Sequence, residues 1–428
     1  MLDRTQQPPT SPITQLDIPH PENIRLDNGI NLKSFFRDEE DVLRFDVVIN
    51  AGIWPQSQPL QALFTNRMLR EGTTDYTSKK ISSSLDFYGA WLDLSCSYTQ
   101  SYLTLYSLGK YFENTLRLVH SMITCPTFPE QEFDVMVANN KQQYLINQNK
   151  TEYTSQKLFM NKLFGTSHPC GTFAVESDYD RISPEALKEF HRNFYHNKNI
   201  SLYVSGNVTD NVVKIINQLF GNSGWGEGKE RNIRSKIPIQ TAECRHGFVE
   251  HPDSVQSSIR IGCPTIDSKH SDFHKLRVVT TLLGGYFGSR LMKNIREDKG
   301  YTYGISANIV PFPDTNIFAI GTEVANEYVQ SAVNEIYKEI RILQKEKVDE
   351  QELQMVKNYS VGDICRSFEG MFSISESYIM LETYGLTEDY FEKNLYDIIH
   401  ITTEDILRIA NEYLHPEEMI DIVAGKKI

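Results

Sequence analysis

The chain has 428 residues, of which 40% are hydrophobic and 23% are charged, and its formal net charge is −13. This composition indicates a globular protein with enough apolar material for two cores, and the negative charge argues against a protein that binds a nucleic-acid backbone. No apolar run is long enough to cross a bilayer, and the six scattered cysteines form no C-x-x-C pair, so we expect reduced thiols rather than disulfides or a zinc cage.

The N-terminal segment, residues 1–22, is rich in proline, glutamine and threonine. It lacks the basic region followed by an apolar region that marks a secretory signal, and it has too little arginine for a transit peptide. We therefore expect a flexible tail and a cytoplasmic protein.

The first half of the chain then alternates between strand and helix patterns. Asn28-Gly29 suits a tight hairpin turn, and the alternation of apolar residues between Leu43 and Ile49 indicates a strand with one buried face. Thr77 or Ser78 can cap a helix. The patterns predict helices at about 59–70, 77–88, 110–122, 129–148 and 153–164, and strands at about 43–49, 92–96 and 102–108.

The order of elements is repeated in the second half. Residues 182–206 correspond to residues 401–425 without a gap, and both segments read as a capped helix followed by a strand. We therefore predict an α+β fold of two similar domains, residues 23–225 and 248–428, each a mostly antiparallel sheet covered by helices. The charged segment 226–247 lacks periodicity and is the expected linker.

The most informative stretch is residues 282–303, which reads as a helix, a glycine break, a second helix and a strand. Ser289 is the expected N-cap of the second helix, and Lys299-Gly300 is expected to end it. The turn after that helix could bring Arg296 and Tyr303, a fixed cation and a phenol, into one pocket.

This stretch resembles the pitrilysin/insulinase family of zinc peptidases, in the branch that includes the mitochondrial processing peptidase. That family has a Leu-Gly-Gly break, a Ser-Arg-Leu helix, an arginine, and a tyrosine seven residues later, as in Arg296 and Tyr303. Further matching turns run from about residue 23 to residue 425. They are Asn50-Ala51-Gly52, Glu71-Gly72-Thr73, His168-Pro169-Cys170-Gly171 and Val204-Ser205-Gly206. The resemblance implies one half of a clamshell that encloses an extended peptide.

Active members of the family carry H-x-x-E-H before the Gly-Thr turn, with two histidines as zinc ligands and the glutamate as general base. The aligned residues here are Leu63, Asn66 and Arg67, and the third ligand falls at about Gln143. Leucine has no lone pair, asparagine cannot act as a base near neutral pH, and arginine repels a dication. The joint loss predicts that the chain holds no zinc at this site.

Other catalytic patterns are weak. His270 and His274 have i, i+4 spacing with Asp272 nearby, and we interpret them as solvated histidines because no third ligand accompanies them. The Gly284-Gly285-x-x-Gly288 run lacks the nucleotide-binding fingerprint, and no G-x-S-x-G motif occurs.

The resemblance implies a non-catalytic subunit of a heterodimeric zinc endopeptidase. In that hypothesis a homologous partner carries H-x-x-E-H and the zinc, while Arg296 and Tyr303 bind peptide substrate and stabilise the transition state across the chamber. This chain itself would hold no cofactor and contact neither nucleic acid nor membrane. The alternative is a catalytically silent scaffold or peptide-binding protein of the same fold; an independent zinc peptidase is disfavoured.

Overall fold

The computed structural model describes residues 13–38, 41–222, 225, 237–313 and 315–427. These residues form two mostly antiparallel sheets with helices packed on them, which confirms the predicted α+β class. The eleven strands are β1 (Glu22–Arg25), β2 (Asn31–Phe36), β3 (Val42–Ile49), β4 (Trp91–Cys96), β5 (Ser101–Leu108), β6 (Ile200–Gly206), β7 (His246–Glu250), β8 (Gln256–Thr265), β9 (Thr302–Pro311), β10 (Asn316–Ala325) and β11 (Ile420–Gly425).

Fourteen α-helices accompany the strands in the described residues. They are α1 (Gln61–Met68), α2 (Ser78–Tyr88), α3 (Phe112–Thr124), α4 (Glu130–Gln148), α5 (Thr151–Phe164), α6 (Glu176–Tyr179), α7 (Pro184–Phe194), α8 (Asp210–Phe220), α9 (Phe273–Thr280), α10 (Val329–Lys345), α11 (Glu350–Arg366), α12 (Met371–Tyr384), α13 (Tyr390–His400) and α14 (Thr403–Tyr413). Two segments, Thr281–Gly285 and Met292–Asp298, are π-helical.

Five strands of the first sheet have the same topology as the five strands of the second sheet, and β1 is an additional edge strand. The first sheet has the order β1-β2-β6-β3-β5-β4 and the second the order β7-β11-β8-β10-β9. Each contains one parallel pair, β2 with β6 and β7 with β11, and all other neighbours are antiparallel. The repeat seen in the sequence is α7 followed by β6 in the first half and α14 followed by β11 in the second, so the two strands occupy equivalent places.

The helix starts follow the expected chemistry. The Thr77 hydroxyl accepts from the amide of Lys80 at the start of α2 (3.3 Å), and the Ser183 hydroxyl accepts from Ala186 at the start of α7. Each side chain thus satisfies a backbone donor that the helix leaves open. Gly29, in the predicted hairpin turn, has φ of +89°, a conformation that glycine adopts without strain.

Each half supplies a helix to the other. Helix α5 packs on β8 and β11 of the second sheet, and α12 packs on β6 and β2 of the first sheet. Phe35 and Tyr203 of the first sheet are buried against Tyr378 of α12, with the Phe35 and Tyr378 rings 5.3 Å apart. Phe159 and Leu163 of α5 are buried in the cluster that contains Ile420 and Ile422. The exchange joins both halves into one body with buried apolar contacts on both sides.

The segments outside the sheets differ in how far they are described. Residues 1–12 of the expected tail and 226–236 of the expected linker lie outside the described residues. Leu16 and Ile18, within the expected tail, are partly buried against apolar clusters. Strand β7 begins at His246, inside the expected linker, and it lacks an apolar alternation because its side chains are exposed or only partly buried.

Candidate functional site

Helix α1 holds the positions where zinc ligands are expected. Leu63 is partly buried and packs against the core of the first half. Asn66 is completely buried, and its Nδ2 donates to the backbone oxygen of Tyr102 on β5 (3.2 Å). Leu63, at the position of the first histidine, therefore packs in the core. Asn66, at the position of the general base, is a neutral amide that hydrogen-bonds the helix to the sheet.

The remaining two positions do not complete a metal site. Arg67 is exposed, and its Nη1 donates to Oδ1 of Asn140 on α4 (2.7 Å). Gln143, also on α4, is exposed, and its Nε2 donates to Asn147 (3.0 Å). Helix α4 therefore reaches Arg67 through Asn140 rather than Gln143. A zinc ion needs lone-pair donors from histidine, cysteine or carboxylate side chains, and these residues do not fit one.

The same conclusion holds over the described part of the chain as a whole. Within it, no group of three or more His, Cys, Asp and Glu side chains is arranged to hold a metal ion.

In the second half, the glycine break brings the chain close to strand β9. A Cβ on Gly284 would lie 2.6 Å from the Cβ of Ala307, so only glycine permits this approach. The glycine break itself lies in one π-helical turn and residues 292–298 form a second, and such turns are frequent at functional sites. The prediction that the Ser289 hydroxyl caps the second helix is wrong. This hydroxyl is buried with no hydrogen-bond partner in the described residues, and the backbone carbonyl of Ser289 accepts from the amide of Lys293.

Arg296 lies on the second π-helical segment with its guanidinium over the ring of Phe287. The guanidinium carbon is 4.6 Å from the ring centroid, within the range of a cation–π contact. No hydrogen bond or ion pair occupies Arg296 within the described residues. The aromatic face therefore supports the cation while leaving its N–H donors available to a ligand.

Tyr303 projects from the start of the edge strand β9 and is 91% exposed. The neighbouring Thr302 anchors the strand, because its hydroxyl donates to the backbone oxygen of Glu323 on β10 (2.7 Å). The ladder between β9 and β10 is irregular here, with a shift between Thr322 and Val324. No hydrogen bond or cation–π contact joins Tyr303 to Arg296, so their meeting in one pocket stays a prediction.

The histidine pair near α9 is not a metal site, but one interpretation of it is wrong. His274 is buried rather than solvated, and its ring lies 4.7 Å from that of Tyr390. Burial is the largest cause that lowers its pKa to about 4. His270 precedes the helix, which begins at Phe273. Asp272 is bound by Arg408, and that hydrogen bond lowers the pKa of Asp272 to about 2.

Sequence reasoning did not identify Phe287 or Asn140 as parts of these sites. Phe287 lies in the irregular turn between the two π-helical segments, where no periodic pattern assigns a direction to its side chain. Asn140 precedes the expected ligand position Gln143 by three residues, about one helical turn. An aromatic residue beside a glycine break is a weak signal, whereas Asn140 is recognisable only once α1 and α4 are packed together.

Comparisons with known proteins relate the chain to peptidases and to inactive peptidase homologues. Residues 181–360 match the family described as "Peptidase M16 inactive domain". The "Probable inactive metalloprotease YmfF" of Bacillus subtilis is 22% identical over 308 residues, 70% of this chain and 71% of that protein. The "Uncharacterized zinc protease YmxG" of the same organism is 21% identical over 310 residues, 72% of this chain and 74% of that protein.

Solved structures show the same fold. A peptidase M16 inactive domain from Pseudomonas fluorescens superposes with a TM-score of 0.85 at 22% identity, over 95% of this chain and 98% of that one. A protease from Helicobacter pylori superposes with a TM-score of 0.84 at 17% identity, over 96% of this chain and all of that one (100%). Residues 181–360 are thus similar to the peptidase M16 inactive domain, and the chain shares the fold of solved M16-like proteins. None of its described helices combines the length and apolar character needed to cross a membrane.

Proposed function

We propose that the chain is the non-catalytic subunit of a heterodimeric zinc-dependent endopeptidase and that it supplies Arg296 and Tyr303 to the zinc site of a homologous partner. The observation that carries the proposal is the contrast between the two halves. In the first half, Asn66 is buried and bonded to Tyr102, and Arg67 is bonded to Asn140. In the second half, the phenol of Tyr303 is 91% exposed and the guanidinium of Arg296 has no acidic partner in the described residues.

The two side chains suit peptide-bond hydrolysis at a partner's metal. Hydrolysis builds negative charge on the former carbonyl oxygen, and a preplaced hydrogen-bond donor lowers the energy of that state. Tyr303 can donate through its hydroxyl, and Arg296 can bind the substrate backbone through charge-assisted hydrogen bonds. A purely structural tyrosine would be expected to pack or to form hydrogen bonds within the chain, and the exposure of Tyr303 speaks against that role.

The direct test is Tyr303→Phe in the reconstituted pair. The substitution removes one hydroxyl from an exposed ring, so we expect unchanged assembly and a fall in turnover of about 10²–10³-fold, as for the loss of a single oxyanion donor. Tyr396→Phe is the matched control, because Tyr396 is also exposed (62%) but lies on α13. Steady-state kinetics on a peptide substrate measure the effect. Equal turnover for both variants would exclude the proposed role.

The partner requires its own experiment. The tagged chain is used to capture proteins from lysate of the source organism, and the eluate is assayed for chelator-sensitive hydrolysis of a mixed peptide library. The proposal expects a second chain with H-x-x-E-H and activity that co-purifies with it. Recovery of the chain with no such partner and no hydrolysis would favour a silent scaffold of the same fold.

A further inference from the structure

A cavity of about 790 Å³ opens in the second half, between the start of α9 and the start of α13. One wall comes from residues 268–274, and the other comes from the turn 385–387 and the first turns of α13. Small-molecule sites in proteins commonly measure about 300–1,000 Å³, so the cavity can hold a ring compound. It shares no lining residue with the degenerate zinc positions, and neither Arg296 nor Tyr303 lines it.

His274 lines this cavity and has a hydrogen-bonding atom that the fold does not use. The residue is only 6% exposed, and its Nδ1 is buried without a hydrogen-bond partner among the described residues. The buried side chain of Asn394 interacts with the imidazole, but it does not give Nδ1 a hydrogen bond. A buried polar atom without a partner costs free energy, so a ligand that supplies the partner is favoured.

The protonation state of His274 narrows the choice of ligand group. Burial lowers the pKa of the imidazole to about 4, so the ring is neutral at pH 7. In a neutral imidazole, Nδ1 is a donor in one tautomer and an acceptor in the other. A hydroxyl group both donates and accepts, so it can pair with Nδ1 in either tautomer.

Apolar side chains form much of the wall around this histidine. Leu386, Tyr390 and Tyr396 line the cavity, and the ring of Tyr390 lies 4.7 Å from that of His274. Tyr390 is buried and Tyr396 is 62% exposed, so the apolar wall extends from the interior to the surface. Aromatic side chains pack well against the face or the edge of another ring. The wall therefore suits a ligand with a planar apolar body.

The charged groups of the lining disfavour an ionic ligand. Lys269 and Lys393 are matched in number by Glu392 and Asp397. Lys393 is also paired with Asp389 on the same helix (2.5 Å between Nζ and Oδ2). Because the lysines and carboxylates balance, the cavity gives neither an anion nor a cation a net attraction. A neutral ligand loses nothing by this balance and is preferred.

We infer that this cavity binds a neutral phenol, a planar ring compound whose hydroxyl pairs with Nδ1 of His274 and whose ring packs against Leu386 and Tyr390. The site belongs to this chain alone, and it uses no residue to which the proposed function assigns a role. Its failure is therefore distinguishable from a failure of the proposed function.

The test compares three probes with the same ring system, 2-naphthol, naphthalene and 2-naphthoate. Equilibrium dialysis against the full chain at pH 7 gives each affinity, with the free probe measured by its own fluorescence. One net hydrogen bond corresponds to about fivefold in affinity, so 2-naphthol should bind at least about fivefold more tightly than naphthalene. The anion 2-naphthoate should bind more weakly than 2-naphthol, because the lining gives it no net attraction.

Substitutions assign the preference to the histidine. His274→Phe keeps a ring beside Tyr390 and removes Nδ1, so 2-naphthol should bind this variant no more tightly than naphthalene does. His191→Phe is the matched control, because His191 is also held neutral by burial but lies on α7 in the first half. The control should keep the preference for 2-naphthol. Circular dichroism checks that both variants fold.

A second variant tests the cavity without changing a buried residue. Ser271 lines the cavity and is exposed, so Ser271→Trp should fill part of the space and abolish binding of both 2-naphthol and naphthalene. Four results would each overturn the inference. They are equal affinities for 2-naphthol and naphthalene, tighter binding of 2-naphthoate than of 2-naphthol, an unchanged preference in folded His274→Phe, and full binding by Ser271→Trp.

Discussion

The end of α1 and the stretch from Phe287 to Tyr303 are the two places where this fold can carry chemistry, and their side chains are used in opposite ways. At α1, Asn66 is buried and bonded to β5, and Leu63 packs on the core. In the second half, Arg296 rests on an aromatic ring and Tyr303 is exposed. In the first region Leu63 and Asn66 make contacts within the fold, whereas in the second region Arg296 and Tyr303 keep polar groups available to a ligand.

The halves also differ where their topology is the same. Asp46 of β3 pairs with Tyr203 of β6, and Arg260 of β8 pairs with Ile422 of β11, so the two charged residues occupy equivalent positions under the exchanged helices. The cavity beside Asp46 measures about 390 Å³ and the cavity beside Arg260 about 150 Å³. The two halves therefore share their strand pairing. The charge at this equivalent position is negative in the first half and positive in the second, and the cavity beside it is larger in the first half.

The largest expected effect contrasts the two regions directly. Phe64 lies on α1 between the former ligand positions and is completely buried. Phe64→Ala should lower the free energy of unfolding by about 3–5 kcal/mol, because it removes a buried ring and leaves a cavity. Tyr303→Ala should change it by less than about 0.5 kcal/mol, since that ring is exposed. Urea denaturation followed by circular dichroism measures both. Comparable losses would mean that the second region is structural as well.

Much of this contrast is accessible from the sequence. The joint replacement at Leu63, Asn66 and Arg67 removes both histidine ligands and the general base whatever the detailed packing. The repeat is likewise visible because Ser183 and Thr402 both cap the helix before a strand, and both hydroxyls accept the expected backbone amide. Local chemistry of this kind depends on neighbours in sequence, so a pattern can reveal it.

Long-range features escape the same reasoning. The exchange of α5 and α12 between the halves depends on which sheet each helix meets, and an apolar helix face does not specify that. The π-helical turn that contains Gly284 lies against Ala307 of β9, a contact that the sequence pattern does not specify. The burial of His274 arises from packing against Tyr390 of α13, more than a hundred residues later. Each of these features depends on contacts between residues that are far apart in sequence, so it is recognised only once the tertiary structure is known.

A second prediction uses His274, the buried histidine of α9. Its pKa falls from 6.5 to about 4 on folding. Between pH 6.5 and pH 4, His274 is therefore protonated in the unfolded chain and neutral in the folded chain. Stability is therefore lost as the pH falls from 6.5 to 4, by about 3 kcal/mol for this group, with no further loss below that range. Unfolding free energies between pH 7 and pH 4 measure the slope.

Substitution isolates this histidine. His274→Gln should flatten the slope. His191 of the first half is also held neutral by burial, which lowers its pKa to about 4, so the flattening is partial. An unchanged slope in His274→Gln would show that the ring is not held neutral in the fold.

A smaller effect concerns the support of Arg296 in the reconstituted pair. Phe287→Leu removes the ring under the guanidinium, and a cation–π contact at an exposed site is worth about 0.5–1 kcal/mol. We expect kcat/KM to fall about two- to fivefold, and Phe287→Tyr to restore it because the aromatic face is kept. The same loss in both variants would mean that the residue matters for packing rather than for positioning the cation.

The smallest expected effect is the absence of any response to metal removal. A zinc ion that binds only the folded chain raises the unfolding free energy by several kcal/mol at saturation, so a chelator would lower the Tm by several degrees. Leu63 and Arg67 cannot donate lone pairs, and Gln143 is bonded to its own helix, so EDTA should leave the Tm of the isolated chain unchanged. Differential scanning calorimetry and zinc analysis after dialysis give the answer. One zinc per chain with an EDTA-sensitive Tm would mean that the first half still binds metal through other residues. The proposed contrast between a first half that does not bind metal and a second half that carries the functional side chains would then be wrong.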